Sequence, residues 1–156
     1  MAFEHIATEY KQSEYKQSEY TKSNVSFKEF MMHEYIYNLC EGSGGLLNVP
    51  KIINYDVDNH KMTMENIPFM CVADYYGDKA TDITPGLFSR IRAVIQYLYD
   101  NHIIYPDITG YNFIEYADKL WIIDFEHSDF KTFQPNIFVE EFIRKEHFNK
   151  WNPWFL

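Results

Sequence analysis

Glycine is scarce: there are six in 156 residues, and the first is Gly42. The first 41 residues therefore cannot hold a glycine-rich loop of the kind that lets backbone amides close around a phosphate. Cysteine is scarcer, with only Cys40 and Cys71 and no CxxC spacing. A disulfide framework or a thiolate metal site is excluded, and reduced thiols in a cytosol-like compartment are expected. Basic residues number 14 against 23 acidic ones, a net charge of −9. That balance argues against a broad nucleic-acid or anionic-membrane footprint. No apolar run approaches the length of a membrane span, and the opening "MAFEHIATEY" has no basic-then-apolar leader pattern. The expected protein is cytoplasmic, with no nucleic-acid partner and no membrane span. The six histidines form no pairs at ligand spacing, so surface or hydrogen-bonded core histidines are the expectation.

What the chain has in quantity is apolar and aromatic surface. Hydrophobic residues make up 46%, and 13 Tyr and 13 Phe carry most of a 19% aromatic fraction. A folded core is assured, and the length suits one domain, whole or split into two small lobes. A short tandem repeat, "YKQSE" at 10–14 and again at 15–19, opens the chain. Two copies are too few for a solenoid, and 6–25 reads as a polar hairpin or a pair of edge strands.

Ser26 followed by Glu29 is a capping-box pattern that starts a helix. Phe27, Phe30, Met31, Glu34, Tyr35 and Asn38 fall along one side at helical spacing, and "EGSGG" at 41–45 stops it. "VPKIINYDVD" and "HKMTMENI" read as two strands joined near Asp58-Asn59. The clearest helix is 85–101, with Leu87, Ile91, Val94, Ile95 and Leu98 as its inner face. A strand at 113–116, a turn at "ADK" and a buried strand at 120–124 follow. The pattern predicts a last helix over 137–148, then an aromatic tail, "KWNPWFL".

Between the long helix and the hairpin lies "YPDITGYNF" (105–113), and twelve residues after Asn112 comes Asp124 in "IIDFEH". Three oxygen-bearing side chains held near apolar runs are costly unless something binds them. The plain alternative is an Asx turn at Asp107, with Asn112 as a second turn residue.

Asp107 and Asn112 in "DITGYN", with Asp124 in "IIDFE" after a long helix, resemble the protein-kinase-like superfamily. The Asp-x-x-x-x-Asn turn followed by Ile-Asp-Phe-Glu is similar to choline and aminoglycoside kinases as well as to protein kinases. The resemblance implies an α+β, minimal two-lobed kinase-like fold over 1–156, with a small sheet lobe at about 1–70 and a reduced helical lobe at about 71–156. It implies ATP and Mg2+ as cofactors. Asn112 and Asp124, with Glu126 as a further ligand, would hold magnesium, a hard cation that takes oxygen donors. Asp107 would accept or orient the proton of the acceptor hydroxyl. A mid-helix glutamate, Glu34, would hold a strand lysine that reaches the ATP phosphates. Lys22 is preferred for that lysine, with Lys16 as the alternative.

The departures are specific. The glycine-rich loop is missing, and Tyr105-Pro106 stands where protein kinases have His-Arg. Glu126 replaces their Gly, and only 32 residues follow Asp124. The expected activity is phosphotransfer to a hydroxyl acceptor, with protein Ser, Thr or Tyr favoured. A small-molecule kinase, and a pseudokinase or scaffold, are the competing readings. The acceptor is unidentified, and the aromatic tail (Trp151, Trp154 and Phe155) is a candidate homodimer surface.

Overall fold

Ser26 starts the first helix as its capping pattern predicts. In the computed structural model, which describes residues 19–132 and 134–156, helix α1 runs Phe27–Leu39 and Ser26 Oγ accepts from the Glu29 N–H at 3.1 Å. Most of the tandem repeat, and Lys16 with it, lies outside the described residues. The strand β1, Glu19–Lys22, is the part described, and it is an edge strand.

The helix does not bury the face that its aromatics suggest. Phe27, Met31 and Tyr35 are exposed, as are Glu34 and Asn38, and Phe30 is only partly covered. The inner face is Glu29, Met32, His33 and Ile36. Two polar residues can sit inside because each has a partner there. Glu29 meets Lys22 Nζ at 2.6 Å, and His33 Nε2 lies 2.7 Å from the Pro50 carbonyl.

Strands β2 (Ile52–Asp56) and β3 (Lys61–Glu65) form the expected hairpin. Together with β1 they make an antiparallel sheet of order β1-β3-β2. Val25, Met62 and Met64 form a small core under this sheet, packed with Phe30, Ile52 and Tyr55.

A short helix α2 (Val72–Tyr76) leads to α3, Pro85–Asp100. Thr84 caps α3 by accepting from the Leu87 N–H, Pro85 opens it, and all five predicted inner residues are buried. Strand β4 (Ile103–Ile104) pairs with β7 (Asp129–Phe130). Strands β5 (Phe113–Tyr116) and β6 (Lys119–Ile122) form a two-residue hairpin. Its turn residues Ala117 and Asp118 have φ of 55° and 61°, the left-handed pair that a tight hairpin requires.

The last helix, α4, spans Ile137–Arg144 rather than 137–148. Buried Arg92 on α3 accounts for the early end. Its Nε donates to the Phe142 carbonyl at 2.6 Å, taking the acceptor that the next turn would need, and a second guanidinium nitrogen reaches Phe148 O at 3.0 Å. The larger core gathers Met32 and Ile36 of α1 with α3, β4 to β6 and α4. Helix α1 is thus shared between the two cores. No helix among the described residues is long and apolar enough to cross a membrane.

The tail is not the exposed aromatic surface expected. Trp151 is buried, its ring 4.7 Å from that of Phe88, and Phe155 packs against His127 with ring centroids 5.0 Å apart. Of its large apolar residues, Trp154, at 87% exposure, and Leu156 stand clear.

Candidate active site

Three of the predicted residues line one cleft. Lys22, from the end of β1, faces Asn112 and Asp124 across a space of about 360 Å³, walled further by Tyr20, Met64, Ile67 and Ile114. Lys22 Nζ lies 3.2 Å from Asp124 Oδ1, a contact between residues 102 apart in sequence.

The helix carboxylate that meets Lys22 is Glu29, not Glu34. Glu29 is 3% exposed and 2.6 Å from Nζ, whereas Glu34 is one turn further along on the solvent side. The capping-box motif concealed this. Glu29 occupies the capping-box position, but its side chain turns to Lys22 instead of back to the N-cap amide. Burial pushes the Glu29 carboxyl upward, opposed by the Lys22 ammonium. Burial pulls the Lys22 ammonium down, but its hydrogen bond to Glu29 and the charges of both carboxylates outweigh that and hold it above the usual range.

This pair carries a direct test. Glu29→Ala removes one of the two carboxylates on Lys22 and should lower stability in urea by about 1–3 kcal/mol, the range for truncating one partner of a charged, partly buried hydrogen bond. Glu34→Ala, on the exposed side, should stay within about ±0.5 kcal/mol. The opposite ranking would show that Lys22 is not held by Glu29.

Asp107, half-buried and not among the residues lining this cleft, sits on a turn tied down by several hydrogen bonds. Asn112 Nδ2 donates to the Asp107 carbonyl at 2.9 Å, and the Thr109 N–H donates to the same oxygen at 3.0 Å. Gly110 allows the turn to press against α2, since a Cβ there would lie 3.1–3.3 Å from Ala73 atoms. Fully buried Tyr105 links the turn to the second acidic segment. Its hydroxyl donates to the Ile123 carbonyl at 2.6 Å, and its ring packs edge-on against Phe125 at 5.8 Å. The Ile123 N–H returns to the Asn112 carbonyl at 3.0 Å. Asp107, Asn112 and Asp124 are thereby held as one unit. Burial and the negative charge of Asp124 push the Asp107 carboxyl above the ordinary aspartate range.

Asp124 adopts φ of 65°, the left-handed region that Asp enters at modest cost. The Glu126 N–H lies 3.3 Å from its Oδ1. Glu126 itself is exposed, outside the cleft walls, with its carboxylate 3.9 Å from His127. Phe125 is fully buried and meets the His33 ring edge-on at 5.0 Å, so α1 joins the Asp124 segment by packing and, through Lys22 of β1, by charge. Burial lowers the His33 pKa, which keeps the ring neutral beside Pro50.

Among the described residues no three His, Cys, Asp or Glu side chains converge as a metal cluster. The donor chemistry still fits a magnesium ion. Asn112 has committed its amide nitrogen, which leaves its oxygen for a cation, and Asp124 adds a carboxylate on the same cleft. Both are hard oxygen donors, and magnesium takes few of them from protein, keeping water and phosphate for the rest.

No family model matches the sequence, and no curated protein is similar to it. Among solved structures, the Cydia pomonella granulovirus kinase PK-1 matches with a TM-score of 0.53 at 12% identity. The fold is kinase-like. The match covers 72% of this chain and 43% of that one, so the chain spans less than half the length of the viral kinase it resembles. At this identity the likeness speaks to the fold, and the chemistry rests on the residues just described.

Proposed function

We propose that this chain is an ATP-dependent phosphotransferase that moves the γ-phosphate to a hydroxyl acceptor, with protein Ser, Thr or Tyr as the favoured class. The observation that carries the reading is the Lys22–Asp124 contact at 3.2 Å, in a cleft shared with Asn112. A lysine and two oxygen donors, brought together from three separate stretches, are the groups that a Mg-triphosphate needs.

Lys22, steadied by Glu29, would bind the phosphate oxygens. Asn112 and Asp124 would hold magnesium, with Glu126 as a candidate third ligand through its place two residues after Asp124. When bound, the ion would supply charge neutralisation on the phosphate oxygens. Asp107 would orient the acceptor hydroxyl and take its proton. The Lys22 ammonium contacts the Asp124 carboxylate on the same cleft, which supports this assignment.

A second reading, a nucleotide-binding scaffold without turnover, is favoured by one observation. Residues 1–41 contain no glycine, so this stretch supplies no glycine-rich loop to cover the phosphates. γ-Labelled ATP with magnesium separates the two, run over a concentration series with light scattering to follow association. Labelled protein or released phosphate that depends on Asp107 supports phosphotransfer. ATP binding with neither product supports the scaffold.

A further inference from the structure

We infer that Asn152 is the positioning residue for Asp107, so that the C-terminal segment is part of the machinery of the catalytic turn. The inference rests on the phosphotransfer reading. Three successive carbonyls, those of Pro106, Asp107 and Ile108, each accept a hydrogen bond from outside the 106–109 stretch. Asn112 supplies the middle one. Asn152 supplies both others: its Nδ2 donates to Pro106 O at 2.7 Å, and its backbone N–H donates to Ile108 O at 2.9 Å. One residue thus clasps the backbone on either side of Asp107.

The clasp is itself fixed. Asn152 is 1% exposed, and its Oδ1 accepts from the Trp154 N–H at 3.2 Å, which caps the short helical turn Pro153–Phe155. The neighbouring Trp151 is packed on Phe88 of α3. Asn152 therefore transfers the rigidity of the α3 core to the turn that carries Asp107. No side chain of the turn itself does this, because Pro106 has no N–H to give and Ile108 is apolar. Placement of a reacting carboxylate matters steeply, since a shift near 1 Å can cost on the order of 100-fold in rate.

The test uses Asn152→Asp in the full chain. The carboxylate still caps Trp154 but cannot donate to Pro106 O. We expect kcat for phosphotransfer to fall on the order of 10- to 100-fold, with KM for Mg-ATP unchanged. Amide exchange at Ile108, Thr109 and Asn112 should speed by about tenfold, the effect of one lost buried hydrogen bond, while Met62 and Met64 in the sheet keep their rates. Val94→Ala, which opens a hole in the α3 core, is the control for general destabilisation and should leave kcat unchanged well below its melting temperature.

An unchanged kcat in Asn152→Asp overturns the inference, whatever exchange shows. So does a fall in kcat matched by Val94→Ala, which would make the effect one of stability alone. If the parent chain shows no turnover, the phosphotransfer reading fails separately. Exchange then decides whether Asn152 holds the turn, and unaltered rates at Ile108 and Thr109 overturn that too.

Discussion

Saturating Mg-ATP should raise the melting temperature of this protein by about 5–10 °C. The size follows from linkage: a ligand that binds only the folded state, at a hundred times its dissociation constant, adds about 2.7 kcal/mol. ATP without magnesium should give a much smaller shift, because the cleft already holds the carboxylate of Asp124, which repels bare phosphates. Asp124→Asn removes a proposed magnesium ligand and one of the two carboxylates on Lys22, and should abolish most of the shift. The comparison must be made against each variant's own ligand-free melting point, since Asp124→Asn also removes the Lys22 ion pair. A parent protein that does not respond to Mg-ATP would remove the basis for a nucleotide site.

The second large effect separates binding from chemistry. Asp107→Ala should leave Mg-ATP affinity nearly intact while lowering turnover by about 100- to 10,000-fold, the range for loss of a positioned proton acceptor. The geometry motivates the split. Asp107 lies outside the walls of the cleft that holds Lys22, Asn112 and Asp124, and it is the backbone carbonyl, not the carboxylate, that Asn112 engages. The raised Asp107 carboxyl sets the direction of the pH profile. Turnover should be full above the folded-state pKa of Asp107 and fall as pH drops through it, with the acid limb above the ordinary aspartate range. A cation that neutralises Asp124 removes part of the cause and should move that limb downward. Equal loss of ATP binding in Asp107→Ala and Asp124→Asn would contradict the division of roles.

The parts of this structure that could be read from sequence are those whose signals are local. Helix α3 declares itself through Thr84, Pro85 and a stripe of five aliphatic residues, all within one element. The Asp107–Asn112 turn and Asp124 are legible for the same reason, as the groups lie within eighteen residues and are fenced by apolar strands. The face of α1 is not legible. Its inward Glu29 and His33 are polar, and they are accommodated by Lys22, Pro50 and Phe125, whose positions no helical period encodes. Its outward Phe27 and Met31 read as core because hydrophobicity was the only guide. Glu34 would point inward only if the helix buried that side.

Long-range polar contacts account for the other misses. Helix α4 stops at Arg144 because an arginine fifty residues earlier takes the Phe142 carbonyl. Asn152 read as one letter of an aromatic tail, since its partners Pro106 and Ile108 are more than forty residues away. The dipeptide Asn152-Pro153 was the available signal, a cap before a short turn, and it marks a segment built to pack. Tyr105 likewise looked like a lost motif residue, whereas its hydroxyl joins the two acidic segments that the site requires.

A crystal structure of the full chain with magnesium and a non-hydrolysable ATP analogue tests the central claim most directly. The account predicts phosphate oxygens on Lys22 Nζ, magnesium bridging them to Asn112 and Asp124, and the Asp107 carboxylate open towards the γ-phosphate. A nucleotide bound elsewhere on the protein, or one in this cleft whose magnesium touches neither Asn112 nor Asp124, would contradict it.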